Sequence, residues 1–353
     1  MKQKVLVGIS GGVDSSVALY LLIKQGFEPV GFTLKVISDR EGSKFDKELE
    51  RTALLCKNLK IKHIINNVKH EFYDKVITYF ADTYMAGFTP NPCVVCNRVI
   101  KWKFLLEEAD KSGINMVATG HYVRIVKNEN RFELCKGLDS KKDQSYYLWQ
   151  LSPRELSRTI FPLGDLTKNQ VHKIAMEHNL VPETLSESQG ICFVPDNDYR
   201  KYLLDNFSDK LDKVGEGDLV NPSAEVLGKH NGFYNFTIGQ RKGFKMGFNA
   251  RHYVKEINAE KNQIVIAKNE ELNSIGMIID NINFPSGEFR PDINGNIKIR
   301  YNSKAVGCTG EMIDNDEIKI IFDTPQRAVT PGQSAVLYNG DKVIFGGLIK
   351  KIL

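Results

Sequence analysis

Three consecutive runs near the start constrain the fold most: KVLVGI at 4–9, SGGVDSS at 10–16 and VALYLLIKQG at 17–26. The first is apolar and β-branched, as a buried parallel strand is. The third carries Val17, Leu21, Leu22 and Lys24 in the manner of a helix packed on a sheet, and Gly26 is a natural helix stop. EPVGFTLKV at 28–36 is the next strand, so the pieces form a βαβ unit. Gly11 and Gly12 let backbone approach a ligand closely, and Ser10, Ser15 and Ser16 add hydroxyl donors. With a helix N-terminus behind it, the loop is an anion cradle. It lacks G-x-x-x-x-G-K-[ST] and G-x-G-x-x-G, which disfavours a Walker loop and a dinucleotide fold.

The pattern continues. Residues 46–68 give a helix and a strand, with Cys56 among apolar neighbours as a core residue, and 115–126 is predicted as one further strand that carries Gly120 and His121. The alternation predicts an α/β domain with a doubly wound parallel sheet. Ligands then sit at the carboxyl ends of the strands, where Ser10–Ser16 and Gly120-His121 fall. His121 alone is as compatible with an ordinary loop histidine. NDYRKYLLDNF at 197–207 is a last helix. After it, short strands alternate with Gly, Asn and Pro turns, among them NIKIRYN at 296–302. The predicted division is an α/β catalytic domain at 1–207, a small β-rich central domain at 208–273 and a β-barrel at 274–353. The length of 353 residues suits two or three domains. No stretch is apolar enough to span a bilayer and the start shows no signal-peptide core, so a soluble cytoplasmic protein is expected, with no membrane partner. The net charge of +5 permits nucleic acid without demanding it. Arg241, Lys242, Lys245, Arg251, His252 and Lys255, interleaved with aromatics and glycines, could follow an RNA backbone or form a solvated face.

NPCVVCN at 91–97 sets Cys93 and Cys96 two residues apart. Such a pair can hold a metal, cycle as a disulfide or supply a reactive thiolate. Six cysteines are too sparse for a disulfide scaffold, and no second C-x-x-C completes a zinc site. Cys96 is expected to open or precede a helix over 97–113, with Asn91 or Asn97 as cap and Arg98 and Lys101 adding positive charge, which would lower its pKa. Cys192, in SESQGICFVPD, lies in an irregular stretch; a buried loop thiol and a functional one are equally compatible there. Cys135 and Cys308 fall in strand-like runs and are taken as structural.

S-G-G-x-D-S-S after an N-terminal strand resembles the pyrophosphate loop of the ATP pyrophosphatases. GISGGVDSSVA, AGFTPNPCVVCNRVIKW, ATGHYVRI, KDQSYYLWQL, GICFVPD, YNFTIGQRKG and KIRY follow one another from residue 8 to 301. Together they resemble the tRNA-specific 2-thiouridylase family over essentially the whole chain. The resemblance implies an adenine nucleotide alpha-hydrolase-like sheet. It also implies ATP-dependent formation of 2-thiouridine at the wobble position of tRNAs for lysine, glutamate and glutamine, with AMP and pyrophosphate released. It implies Cys96 as nucleophile and Cys192 as persulfide carrier, joined in a disulfide after sulfur transfer. It assigns ATP to Gly8, Ile9, Ser10, Gly11, Gly12, Val13, Asp14, Ser15, Leu34 and Gly120, with magnesium near Asp14. It assigns the target base to Asn91, Pro92 and Cys93. It assigns tRNA contacts to His121, Lys142, Asp143, Gln144, Arg300, Tyr301 and Gln333. The implied partners are tRNA and a sulfur donor such as a cysteine desulfurase or a sulfur-relay protein.

One departure matters. Many family members carry Asp where this chain has Cys93. Cys93, Cys96 and Cys192 are therefore also candidate ligands of a 4Fe–4S cluster with one open iron position. The persulfide mechanism is preferred, because cluster use cannot be read from spacing. Two other classes stand beside the family reading: a pyrophosphatase adenylating a small carbonyl substrate, which leaves Cys96 and Cys192 idle, and a non-enzymatic RNA-binding protein, which leaves the ATP loop idle.

Overall fold

A computed structural model describes residues 2–37, 44–182, 190–244, 251–289, 292–314 and 316–353. Its first seven strands are β1 (Lys4–Gly8), β2 (Glu28–Lys35), β3 (His63–Asn67), β4 (Met116–Ala118), β5 (Val123–Asn128), β6 (Arg131–Lys136) and β7 (Thr159–Ile160). Five of them form one parallel sheet in the order β3-β2-β1-β4-β7. The strand period of two sorts β1 between two cores. Val5 and Val7 pack with Val17 and Leu22 of α1 (Val13–Lys24) and Leu55 of α2 (Lys44–Asn58). Leu6 faces the other way, into a cluster with Phe72, Phe80, Ile100 and Leu105. All of these but Leu55 are at most 2% exposed, and each such burial contributes roughly 1.5–3 kcal/mol. With both faces covered the sheet is doubly wound, as expected. Its loops at the carboxyl edge carry the site.

The single strand expected over 115–126 is two strands in two sheets. β4 ends at Ala118, the chain turns through Thr119–Tyr122, and β5 pairs antiparallel with β6. This hairpin leaves the parallel sheet and docks on the barrel: Cys135 pairs with Lys342, and Lys136 N–H donates to Asp341 O at 2.8 Å. The eight-stranded C-terminal sheet therefore includes two strands from the first half of the chain.

The barrel itself closes where Lys342–Ile352 pairs with Asn273–Asn283. Inward residues such as Met277, Ile279, Ile297, Ile320 and Phe345 fill it. The strand expected over 296–302 is displaced: it runs Ile293–Lys298, and Arg300 and Tyr301 lie in the following turn. The Ser303 N–H donates to Arg300 O at 3.1 Å and sets that turn. The chain between Leu211 and Asn273 forms a four-stranded sheet of Tyr253–Asn258, Gln263–Ala267, Glu216–Val220 and Val226–Asn231, in that order. The expected helix is present at Tyr199–Leu211, capped by Asp198, whose side chain accepts from Lys201 N–H at 3.1 Å. Among the described residues no helix is long and apolar enough to cross a membrane. In the basic segment Arg241, Lys242 and Arg251 are exposed, while Lys245 lies outside the described residues.

Candidate active site

The phosphate loop follows β1 without a break. Ile9 is fixed from both sides: its N–H donates to Phe32 O at 2.8 Å and its carbonyl accepts from Thr33 Oγ1 at 3.0 Å. Gly11 has φ +74°, and a Cβ there would lie 2.4 Å from the Glu48 carbonyl oxygen, so only glycine fits beneath α2. Gly12 is the N-cap of α1 and brings no side-chain cap. The first-turn N–H groups of α1 thus keep their donors for an anion. The Ser15 hydroxyl sits inside the loop, accepting from Ser10 N–H at 3.2 Å and donating to Gly12 O at 3.2 Å. Gly120 presses on the same loop: a Cβ would stand 2.9 Å from Asp14 C and from Ser15 N. Leu34 is half-buried at the end of β2. A cavity of about 450 Å³ borders Gly11 and Ser16 and is lined also by Arg51 and Asn179.

The Asp14 carboxylate is held by two residues that the sequence did not mark. The Tyr122 hydroxyl donates to its Oδ1 at 2.6 Å. Lys168 Nζ donates to Oδ1 at 2.7 Å and to Oδ2 at 3.0 Å. A signal for Lys168 existed. It is the first residue of Lys168–Glu177, after a Thr167/Gln170 capping box, where the helix dipole disfavours a cation.

Cys96 packs in the cluster of Leu6, on the face of the parallel sheet opposite α1. Pro92 occupies the first turn of a helix over Pro92–Cys96, which continues as a π-helical stretch over Asn97–Trp102. Cys96 therefore sits within the helix, not at its N-terminus, and neither Asn91 nor Asn97 caps it with its side chain. Cys93 occupies the first turn instead. The expected depression of the Cys96 pKa is overturned: burial pushes the thiol up to about 12, with only Lys101 pulling it down. Lys101, rather than Arg98, is the cation that acts on Cys93, Cys96 and Cys192 alike. Cys192 is exposed yet crowded by protein, which raises it to about 11. Its loop is anchored by the next residue. Phe193 is 7% exposed and meets Phe72 and Phe80 edge-on, with ring centroids 5.8 and 5.2 Å away.

Negative charge on Cys192 or Cys93 would raise Cys96, and charge on Cys93 would raise Cys192, so the three thiols lie within electrostatic reach of one another. All six cysteines are free. Cys56, Cys135 and Cys308 are buried in other parts of the fold. Among the described residues no three His, Cys, Asp or Glu side chains gather closely enough to hold a metal ion. Tyr147 borders Cys93 electrostatically, and its ring lies 4.5 Å from that of Tyr301. Asn97 is 3% exposed; its amide donates to Tyr147 O at 3.0 Å, and its Oδ1 has no donor among the described residues.

Residues 3–196 match the profile of the tRNA methyl transferase HUP domain, 205–268 the tRNA methyl transferase PRC-barrel domain and 274–349 the aminomethyltransferase beta-barrel domain. The tRNA-specific 2-thiouridylase MnmA of Carboxydothermus hydrogenoformans is 40% identical, over 100% of this chain and 99% of its own. This chain belongs to the tRNA-specific 2-thiouridylase family. MnmA 1 of Caldanaerobacter subterraneus subsp. tengcongensis is 42% identical over 99% of each chain. A solved 4-thiouridine synthetase–RNA complex with bound ATP is 15% identical, with a TM-score of 0.37 over 59% of this chain and 51% of its own.

The positions that the 2-thiouridylase resemblance assigned to RNA differ in burial and bonding. Asp143 is buried; its carboxylate accepts from Gly137 N–H, Ser145 N–H and Ser145 Oγ at 3.1, 3.1 and 2.9 Å, so it builds its own loop. Lys142 is half-buried, and Gln144 Oε1 accepts from Tyr122 N–H at 2.9 Å. His121 bonds Thr119 Oγ1 through Nδ1 at 2.9 Å and lies beside Trp102; burial, then Lys101, holds its pKa well below the ordinary value. Arg300 donates to Ala328 O and Thr330 Oγ1. Gln333 Nε2 reaches from the barrel to Thr89 O and Pro90 O, both at 3.0 Å, just before Asn91 and Pro92. The barrel is thereby tied to the entry of the thiol helix.

Proposed function

We propose that this chain catalyses ATP-dependent 2-thiolation of the wobble uridine in tRNAs of the lysine, glutamate and glutamine type. The observation that carries the reading is the occurrence in one domain of an uncapped phosphate loop and two thiols, Cys96 and Cys192, within electrostatic reach of each other from separate elements. A small-carbonyl synthetase has no use for that pair.

ATP is a substrate here. Gly8 to Ser15, with Gly120 against the loop and Leu34 beside the base, would bind it. The exposed first-turn N–H groups of α1 stabilise the departing pyrophosphate. Magnesium carried with the phosphates would ask little of the protein beyond one carboxylate, and Asp14, now bonded to Lys168, would be the one to meet it. The uracil O2 attacks the α-phosphorus, and pyrophosphate leaves. The base has to leave its stack to be reached, and Asn91, Pro92 and Cys93 would receive it. His121, Lys142, Asp143, Gln144, Arg300, Tyr301 and Gln333 belong to, or shape, the RNA-facing surface.

Sulfur arrives on Cys192 as a persulfide from a donor of the desulfurase or relay class. The terminal sulfur bonds to C2 as the Cys96 thiol attacks Cys192 Sγ and the old S–S bond breaks. AMP leaves with the former O2. One of the two protons ends on the base N3, the other on the AMP phosphate. A Cys96–Cys192 disulfide remains, and a cytosolic dithiol reduces it for the next cycle. Cys93 is an auxiliary thiol in this scheme, and no step passes through a cluster.

Nucleoside mass spectrometry on tRNA from a strain lacking this chain tests the assignment. The 2-thiouridine family of wobble nucleosides should vanish and return with the wild-type gene but not with Cys96→Ser or Cys192→Ser. Full recovery with either variant would remove the thiols from the mechanism.

A further inference from the structure

The phosphate loop and the 139–144 segment are far apart in sequence, yet two separate chains of contacts join them. One runs through Tyr122. Gln144 grips its backbone from both sides, accepting from Tyr122 N–H at 2.9 Å through Oε1 and donating its own N–H to Tyr122 O at 3.1 Å. The Tyr122 hydroxyl then donates to Asp14 Oδ1 at 2.6 Å. The other runs through Lys168. Asp139 Oδ2 accepts from Lys168 N–H at 2.9 Å, and Lys168 Nζ bonds both oxygens of Asp14. The Lys168 side chain is only 11% exposed, so its ammonium has little water to fall back on.

The segment is stiff enough to act as one piece. Lys141 N–H donates to Asp139 Oδ1 and Lys142 N–H to Asp139 O, both at 3.0 Å. The buried Asp143 carboxylate closes the far end on Gly137 and Ser145. A shift of this loop moves the backbone of Tyr122 and of Lys168 together, and hence the two donors that aim Asp14.

We infer that Tyr122 and Lys168 are positioning residues that link RNA binding at 139–144 to nucleotide binding at the phosphate loop. The inference rests on the functional reading above, which makes Lys142, Asp143 and Gln144 of that segment RNA contacts. RNA that settles on the segment sets the two donors, the donors set Asp14, and nucleotide binding tightens. Linkage then requires the converse: nucleotide tightens RNA binding by the same factor.

The test is a binding cycle with no turnover. The dissociation constant of unmodified bulk tRNA is measured with and without an ATP analogue carrying a methylene between the α and β phosphorus atoms. For the wild-type chain the analogue should tighten tRNA binding about tenfold. In Tyr122→Phe and in Asp139→Ala the factor should fall to near one. Asp139→Asn, which keeps an acceptor for the Lys168 N–H, should restore most of it. Tyr122→Phe keeps the ring and decides the matter alone if Asp139→Ala fails to fold. A wild-type chain that binds tRNA with no effect of the analogue overturns the inference and leaves the proposed function standing, as does an undiminished factor in Tyr122→Phe. A wild-type chain that binds no tRNA overturns both.

Discussion

At the scale of single residues the chemistry depends on burial. Cys96 and Cys192 are pushed up to about 12 and about 11 by desolvation, so both are neutral thiols at pH 7. The thiolate fraction then grows about tenfold per pH unit below those values. Alkylation of each by iodoacetamide should rise at that slope between pH 7 and 9, with Cys192 faster throughout because it is the exposed one. A plateau below pH 8 would contradict the raised values. Lys101→Ala should slow both thiols, since its charge is the favourable one they share. Glycines make a second residue-level contrast. A Cβ on Gly120 collides with Asp14 and Ser15 at 2.9 Å, whereas one on Gly8 meets nothing closer than 3.6 Å. Gly120→Ala should cost ATP turnover about a hundredfold through misplacement of the loop, while Gly8→Ala should be nearly neutral in the fold. Equal losses in a pyrophosphate-release assay would dismiss the steric account.

At the scale of elements, legibility followed locality. The strand, loop and helix over 4–26 were readable because the residues that shape them are neighbours. The helix carrying Cys96 starts a turn earlier than the expected 97–113 for a local reason as well: Pro92 occupies the first helical turn, where its missing N–H costs nothing. That shift of one turn exchanged a helix-dipole effect for burial and reversed the direction of the pKa. The contacts of Tyr122 and Lys168 with Asp14 were out of reach for another reason. The two residues lie 108 and 154 residues from Asp14, and no periodicity reports a contact at that separation. The loop of Cys192 shows how an irregular element is held: Phe193 is its anchor. Phe193→Ala should lower stability by about 3–5 kcal/mol, read from urea denaturation. A loss under about 1 kcal/mol would mean that the loop can collapse into the gap.

At the scale of the whole molecule, the barrel is part of the site's scaffold. Gln333 bonds the carbonyls of Thr89 and Pro90, and the β5–β6 hairpin pairs with the last barrel strand. The sequence signalled a β-rich second half but not these crossings, because strand pairing between distant segments leaves no local mark. Gln333→Ala removes two hydrogen bonds worth about 1 kcal/mol each. Amide exchange over 89–96 should accelerate while exchange in β1 stays unchanged; acceleration in both would make the residue a general stabiliser. The central claim joins the loop to the thiols in one reaction. Its most direct measurement is a single turnover with persulfide-loaded chain, unmodified bulk tRNA and ATP labelled at the α-phosphate. AMP and 2-thiouridine should appear in equal amounts, with a Cys96–Cys192 disulfide in the same proportion. Thiouridine without AMP, or AMP formed at the same rate with no tRNA present, would contradict it.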